Sequence, residues 1–80
     1  FNGTTIIPFK LEKDDEVGLR IFDILGREID MIDLGRLKSG SHTFQWKAMT
    51  ATGDQLSSGV YFFELTAGSR ISVGKLIHAK

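Results

Sequence analysis

Val60-Tyr61-Phe62-Phe63-Glu64-Leu65-Thr66, entered through Ser57-Ser58-Gly59 and left through Ala67-Gly68-Ser69, settles the fold class. Aromatic and β-branched side chains between two turn clusters read as a β-strand. Its apolar residues fall at both parities, so both faces of the strand are at least partly covered and the strand is an inner one. Such a strand needs neighbours, and the rest of the chain supplies them.

Downstream, Ala67-Gly68-Ser69 turns the chain into Arg70 to Ala79, a closing strand. Leu76 breaks the parity shared by Ile71 and Val73, which suggests a bulge or bend near Gly74. Upstream, Met49 to Ser58 carries Gly53-Asp54 and reads as a long connection. Before it, His42, Phe44 and Trp46 alternate with Thr43, Gln45 and Lys47, placing Phe44 and Trp46 in the core. Val17, Leu19 and Ile21 alternate with Gly18 and Arg20 in a half-buried strand from Glu16 to Phe22. Asp23-Ile24-Leu25-Gly26 then closes a hairpin whose glycine supplies the positive φ that a bulged turn requires, and Arg27 to Leu34 returns antiparallel. Ile29, Ile32 and Leu37 also fit a helical stripe, but Gly35 and Gly40 interrupt it and no cap precedes it, so strand is preferred. Thr4 to Leu11 is an edge strand, because Pro8 has no N–H for a ladder. The expected fold is all-β, an antiparallel sandwich of about seven strands. Its expected core is Val17, Leu19, Ile21, Ile29, Phe44, Trp46, Tyr61, Phe63 and Leu65.

Composition narrows the function classes. A chain of 80 residues supports one core, and 41% hydrophobic with 25% charged residues is the composition of a folded domain. Ten basic residues balance ten acidic ones, so no net field draws in nucleic acid or an anionic membrane. No apolar run approaches the roughly 20 residues of a membrane-spanning helix, and no membrane insertion is expected. The absence of cysteine removes disulfides, thiolate chemistry and sulfur-ligated metals. Phe1 reads as a cut inside a longer polypeptide, and residues 1–80 as a single domain from the C-terminus of a larger secreted protein.

The candidate chemical constellations are weak. Asp14, Asp15 and Glu16 match no cation-loop spacing and read as a solvated turn. His42 and His78 lack a carboxylate at ligand spacing, so no metal is assigned. Ser39, Ser41 and His42 have no nucleophile elbow and no third group to orient a base. Trp46 and Tyr61 suit a sugar-stacking platform, but the shared face of Trp46 and Phe44 favours the core tryptophan of a sandwich. Asn2-Gly3-Thr4 satisfies the glycosylation pattern, which is common by chance. Gly26, Gly40, Gly53, Gly59 and Gly68 are scattered singly as turn residues and build no phosphate cradle. No enzymatic activity and no cofactor are expected.

Five segments in order carry a resemblance: Asn2 to Ile6, Leu19 to Ile29, Leu37 to Trp46, Ser58 to Leu65, and Lys75 to Lys80. Together they resemble the type A C-terminal sorting domain of the type IX (Por) secretion system, over nearly all of the chain. That resemblance implies an Ig-like sandwich at the C-terminus of a protein exported by Bacteroidota. It implies a sorting signal carrying an upstream cargo domain through the periplasm and the outer-membrane secretion machinery to the cell surface or medium. A sortase-like surface protease is implied as a further partner. Carried over by residue, the recognition candidates are Gly26, Gly59, Tyr61, Lys75, Leu76, Ile77 and Lys80. The Pro-Asn-Pro that usually precedes the first strand of that family is missing. The Gly-Val-Tyr element and the hairpin also resemble the Ig-like domain of flagellar hook-capping proteins. The alternative reading is therefore an Ig-like structural spacer or a carbohydrate-binding accessory module of a secreted enzyme.

Overall fold

The structure, a computed structural model, describes residues 4–49 and 52–79. Six strands follow one another: β1 Thr5–Leu11, β2 Asp15–Phe22, β3 Glu28–Leu37, β4 Gly40–Trp46, β5 Gly59–Ala67 and β6 Arg70–His78. They form a two-stranded sheet, β1-β4, and a four-stranded sheet in the order β3-β2-β5-β6, with every pairing antiparallel. The all-β antiparallel sandwich is as expected, with six strands rather than about seven.

Alternation explains the layers. Ile7 and Leu11 from β1, with Trp46 from β4, bury one face of the small sheet. Val17, Leu19 and Ile21 from β2, Tyr61 and Leu65 from β5, and Leu76 from β6 meet them from the large sheet. Side chains of both inner faces interdigitate in such a sandwich core, which is typically about 10 Å thick. Of the expected core, Ile29, Phe44 and Phe63 are only partly buried and pack against its margin. Two strands cannot cover four, so side chains over the sheet edges stay half in water. Leu76 completes the core from the closing strand, and Ile7, Leu11, Ala48 and His78 join it without having been expected there.

Pro8 lies on β1, which pairs with β4 alone and is an edge, as the missing N–H requires. The β5–β6 ladder runs without a register shift, so the bulge expected near Gly74 is absent. Leu76 simply points inward while Ile71, Val73 and Ile77 point outward. The irregularities lie in the β2–β3 ladder, between Val17 and Gly18 and between Ile21 and Phe22. The second adjoins the hairpin turn, where Gly26 stands at φ 83°. There Asp23 organises the turn: its carboxylate accepts the backbone N–H groups of Leu25 and Arg27, each at 2.9 Å, and binds the Arg27 side chain at 2.8 Å. The Arg27 amide is the leading reason that the Asp23 carboxyl is held below the usual aspartate range.

Candidate interaction surface

The seven residues singled out for recognition do not converge. Tyr61 and Leu76 are cross-strand partners, each 6% exposed, inside the core. The Tyr61 hydroxyl donates to the Ser57 carbonyl at 2.6 Å, and its ring meets Trp46 edge-on at 5.5 Å. Gly26 sits in the β2–β3 turn, and Gly59 opens β5 at φ 153°. Lys75 and Ile77 lie on the opposite, outer face of β6. Lys80 and the Asn2-Gly3 part of the glycosylation pattern lie outside the described residues.

The histidines have separate surroundings. His42 stacks on Phe9 at 5.4 Å and donates from Nε2 to the Lys38 carbonyl at 2.6 Å. His78 is 2% exposed, wedged against Trp46 and Tyr61, with Nδ1 3.3 Å from the Thr5 hydroxyl. Its Nε2 has no hydrogen-bond partner among the described residues. Trp46 donates its indole N–H to Asp30 at 3.3 Å, so the ring belongs to the core and offers no platform to a sugar. Among the described residues no group of three or more histidine and carboxylate side chains is placed to hold a metal.

What the structure does gather is an apolar outer face on the four-stranded sheet. Cross-strand pairing puts Phe22 beside Phe62, Phe62 beside Lys75, and Val60 beside Ile77. Phe62 is 42% exposed, Val73 76% and Ile77 70%. Glu64 and Gly74 join Phe22, Phe62 and Val73 in lining a shallow groove. At the adjoining end of the sheet Ile24 and Leu25 project from the hairpin turn, 69% and 73% exposed. A contiguous apolar face on a small domain, rimmed by charge, marks an interaction site.

The rim is ordered. Arg20 donates to Glu28 at 2.6 Å and to Glu64 at 3.0 Å, and its guanidinium lies 5.0 Å from the Phe22 ring centre. Its bonds to the two carboxylates raise its pKa, Glu28 first. Sequence reasoning missed this face because it assigned the alternate apolar residues of β5 to partial cover by a second layer. The signal was present in Val60, Phe62, Val73 and Ile77, whose parity is opposite to that of Tyr61, Leu65 and Leu76.

Comparisons with known proteins place these features. The family model of the FlgD Ig-like domain matches residues 1–70. The basal-body rod modification protein FlgD of Salmonella typhimurium is 32% identical over 69 residues, covering 82% of this chain and 30% of that protein. The Salmonella typhi protein of the same name matches to the same extent. The chain thus spans about a third of the length of these curated relatives. Two solved structures share the fold. FlgD from P. aeruginosa superposes with a TM-score of 0.79 at 22% identity, covering 95% of this chain and 62% of that one. FlgD from Xanthomonas campestris, described there in terms of hook capping essential for flagellar assembly, gives 0.75 at 19% identity, covering 96% and 56%.

These matches overturn the type IX sorting assignment, and with it the secretion-machinery and sortase-like partners, the cargo role and the exported-cargo localisation. The physical reason is visible in the residues that carried the resemblance. Gly26 answers a turn's positive φ, while Tyr61 and Leu76 fill the core. Such residues report an Ig-like sandwich, whatever that sandwich serves.

Proposed function

The chain belongs to the FlgD Ig-like domain family, and from that premise we propose that it is the Ig-like module of a flagellar rod-modification and hook-capping protein. The observation that carries this reading is the family match over residues 1–70. In this role the domain is a non-catalytic building block. The sandwich supplies a rigid body, and the outer face of β2, β5 and β6 supplies the contact surface through which it joins a larger assembly. The apolar centre gives burial, and the Arg20–Glu28–Glu64 rim gives orientation, since ionic groups at a rim set specificity more than affinity.

Deleting the encoding gene in its host and scoring hook formation by electron microscopy tests the proposal. Loss of hooks and of swimming, both restored by the intact gene, is the expected result. A deletion strain that builds normal hooks and swims normally overturns it.

A further inference from the structure

A strand at the margin of a sheet leaves a row of backbone N–H and C=O groups unpaired, and proteins guard such rows with charge, proline, bulges or a covering segment. Three of the four margins in this sandwich are guarded. β3 carries Glu28, Asp30, Asp33 and Arg36, and its ladder with β2 shifts register twice. β1 and β6 close on each other: Thr5 meets His78, Glu12 pairs with Arg70, and Pro8 and Lys75 stand in the two strands. β4 has no lysine, arginine, carboxylate or proline, and it pairs with β1 without a register shift from Gly40 to Trp46. Among the described residues no strand pairs with its other side.

Pro8 fixes which backbone groups face that open side. A proline inside a ladder turns its nitrogen away from the partner strand, so Pro8 and Thr43 form a non-hydrogen-bonded pair. Pairs alternate along an antiparallel ladder, and Ser41 and Gln45, opposite Lys10 and Ile6, belong to the same class as Thr43. These residues therefore direct their N–H and C=O groups away from β1. Their side chains are exposed on the outer face of the small sheet, while those of His42, Phe44 and Trp46 turn inward. The space beneath the open side has an apolar floor. Trp46 reaches Asp30, which sets β4 above β3. Ile29, Ile32, Leu34 and Leu37 of β3 and Phe44 of β4 pack against the core but are only partly buried.

We propose that the open side of β4 is a strand-addition site for an extended segment of a different polypeptide, apolar at alternate positions with small polar residues between them. The backbone of that segment bonds Ser41, Thr43 and Gln45, and its apolar row lies over Phe44 and β3. Its polar row continues the row of Ser41, Thr43 and Gln45, where hydroxyl and amide side chains pair across strands. Because β4 carries no lysine, arginine or carboxylate, charge does not select the partner. The site is on the opposite sheet from the contact face of β2, β5 and β6 and is independent of it.

Amide hydrogen exchange followed by NMR on the 80-residue chain, with the synthetic peptide Lys-Thr-Ile-Thr-Val-Thr-Ile-Thr-Lys as probe, tests the proposal. Excess peptide should slow exchange at Ser41, Thr43 and Gln45 by roughly tenfold, at low and at high salt, and leave the β3 and β6 amides unchanged. Thr43→Pro deletes one outward N–H without touching the ladder to β1 and should abolish the protection at Ser41 and Gln45. Ser41→Pro, nearer the strand end, carries the test if Thr43→Pro melts well below the wild type. Ile6→Thr, on the outer face of β1 and one strand removed from the open side, should bind as the wild type does. Unchanged exchange at all three amides overturns the proposal. So does protection that survives in a folded proline variant, or that falls on β3 or β6 instead. Slowing that grows with the concentration of the chain alone, without peptide, overturns it too, since the edge would then pair copy with copy.

Discussion

Trp46 ties the two sheets together at one point: it is 2% exposed, its indole N–H reaches Asp30 on β3, and its ring edges meet Tyr61 and His78. Trp46→Ala removes the largest buried side chain and leaves Asp30 with only the Met31 amide as a donor. We expect a loss of about 3–5 kcal/mol, enough to unfold most molecules of a domain this small, read by denaturant titration of the far-UV circular dichroism. Asp23 makes a different kind of contribution, because its carboxylate is the acceptor around which the β2–β3 turn closes. Its pKa is lower folded than unfolded, so its stabilisation is complete above the ordinary aspartate value near pH ~4 and fades as pH falls through the depressed folded value. Asp23→Asn should lower the melting temperature at neutral pH and flatten the acid limb of the stability curve. An unchanged acid limb would show that the turn does not depend on this ionisation.

At the scale of the element, β6 is divided by its alternation into two faces with different duties. Leu76 is 6% exposed and faces Tyr61 across the ladder, whereas the next residue, Ile77, is 70% exposed. Leu76→Ala should therefore cost about 2–5 kcal/mol, and Ile77→Ala stay within about 0.5 kcal/mol. Equal losses in thermal melts of the two variants would mean that the strand is rotated or slipped by one residue, since a single-residue slip exchanges the faces. Gly74 shows how tightly the inner face is filled. A Cβ there would come within 2.5 Å of the Phe63 ring, which occupies the space that a side chain would need. The glycine is thus a packing requirement of a regular strand, and no bulge is needed to explain it.

For the whole molecule, the unequal layers matter most: a two-stranded sheet covers the inner face of a four-stranded one, and among the described residues nothing covers the outer face. If that face is the contact surface of the proposed assembly role, Phe62→Glu should leave the melting temperature within a few degrees of wild type, because Phe62 is already 42% exposed. The same variant should fail to restore hooks in the deletion strain. Full restoration by a stably expressed Phe62→Glu protein would move the contact surface elsewhere on the domain.

The strand content, the hairpin at Asp23 to Gly26, the edge position of β1 and the buried Trp46 were all legible in the sequence. Each is governed by local chemistry: period-two alternation, a glycine at positive φ, and a proline without an N–H. The even register of β6 was not legible, because a change of apolar parity reads equally as a bulge or as a strand with two apolar faces. Nor was the role of His78, whose burial depends on Thr5, Trp46 and Tyr61 arriving from three other strands. The motifs that suggested a sorting signal consist of turn and core residues that any sandwich of this class needs, so they carried the fold without the function. The sequence carried a signal of the candidate surface in the parity of Val60, Phe62, Val73 and Ile77, but only the tertiary structure assembles it. Phe22, Phe62, Val73 and Ile77 come from three strands and become one apolar face only once register and sheet order have set them side by side. Sequence determines which residues alternate, but pairing across the sheet decides which alternate set is left facing water.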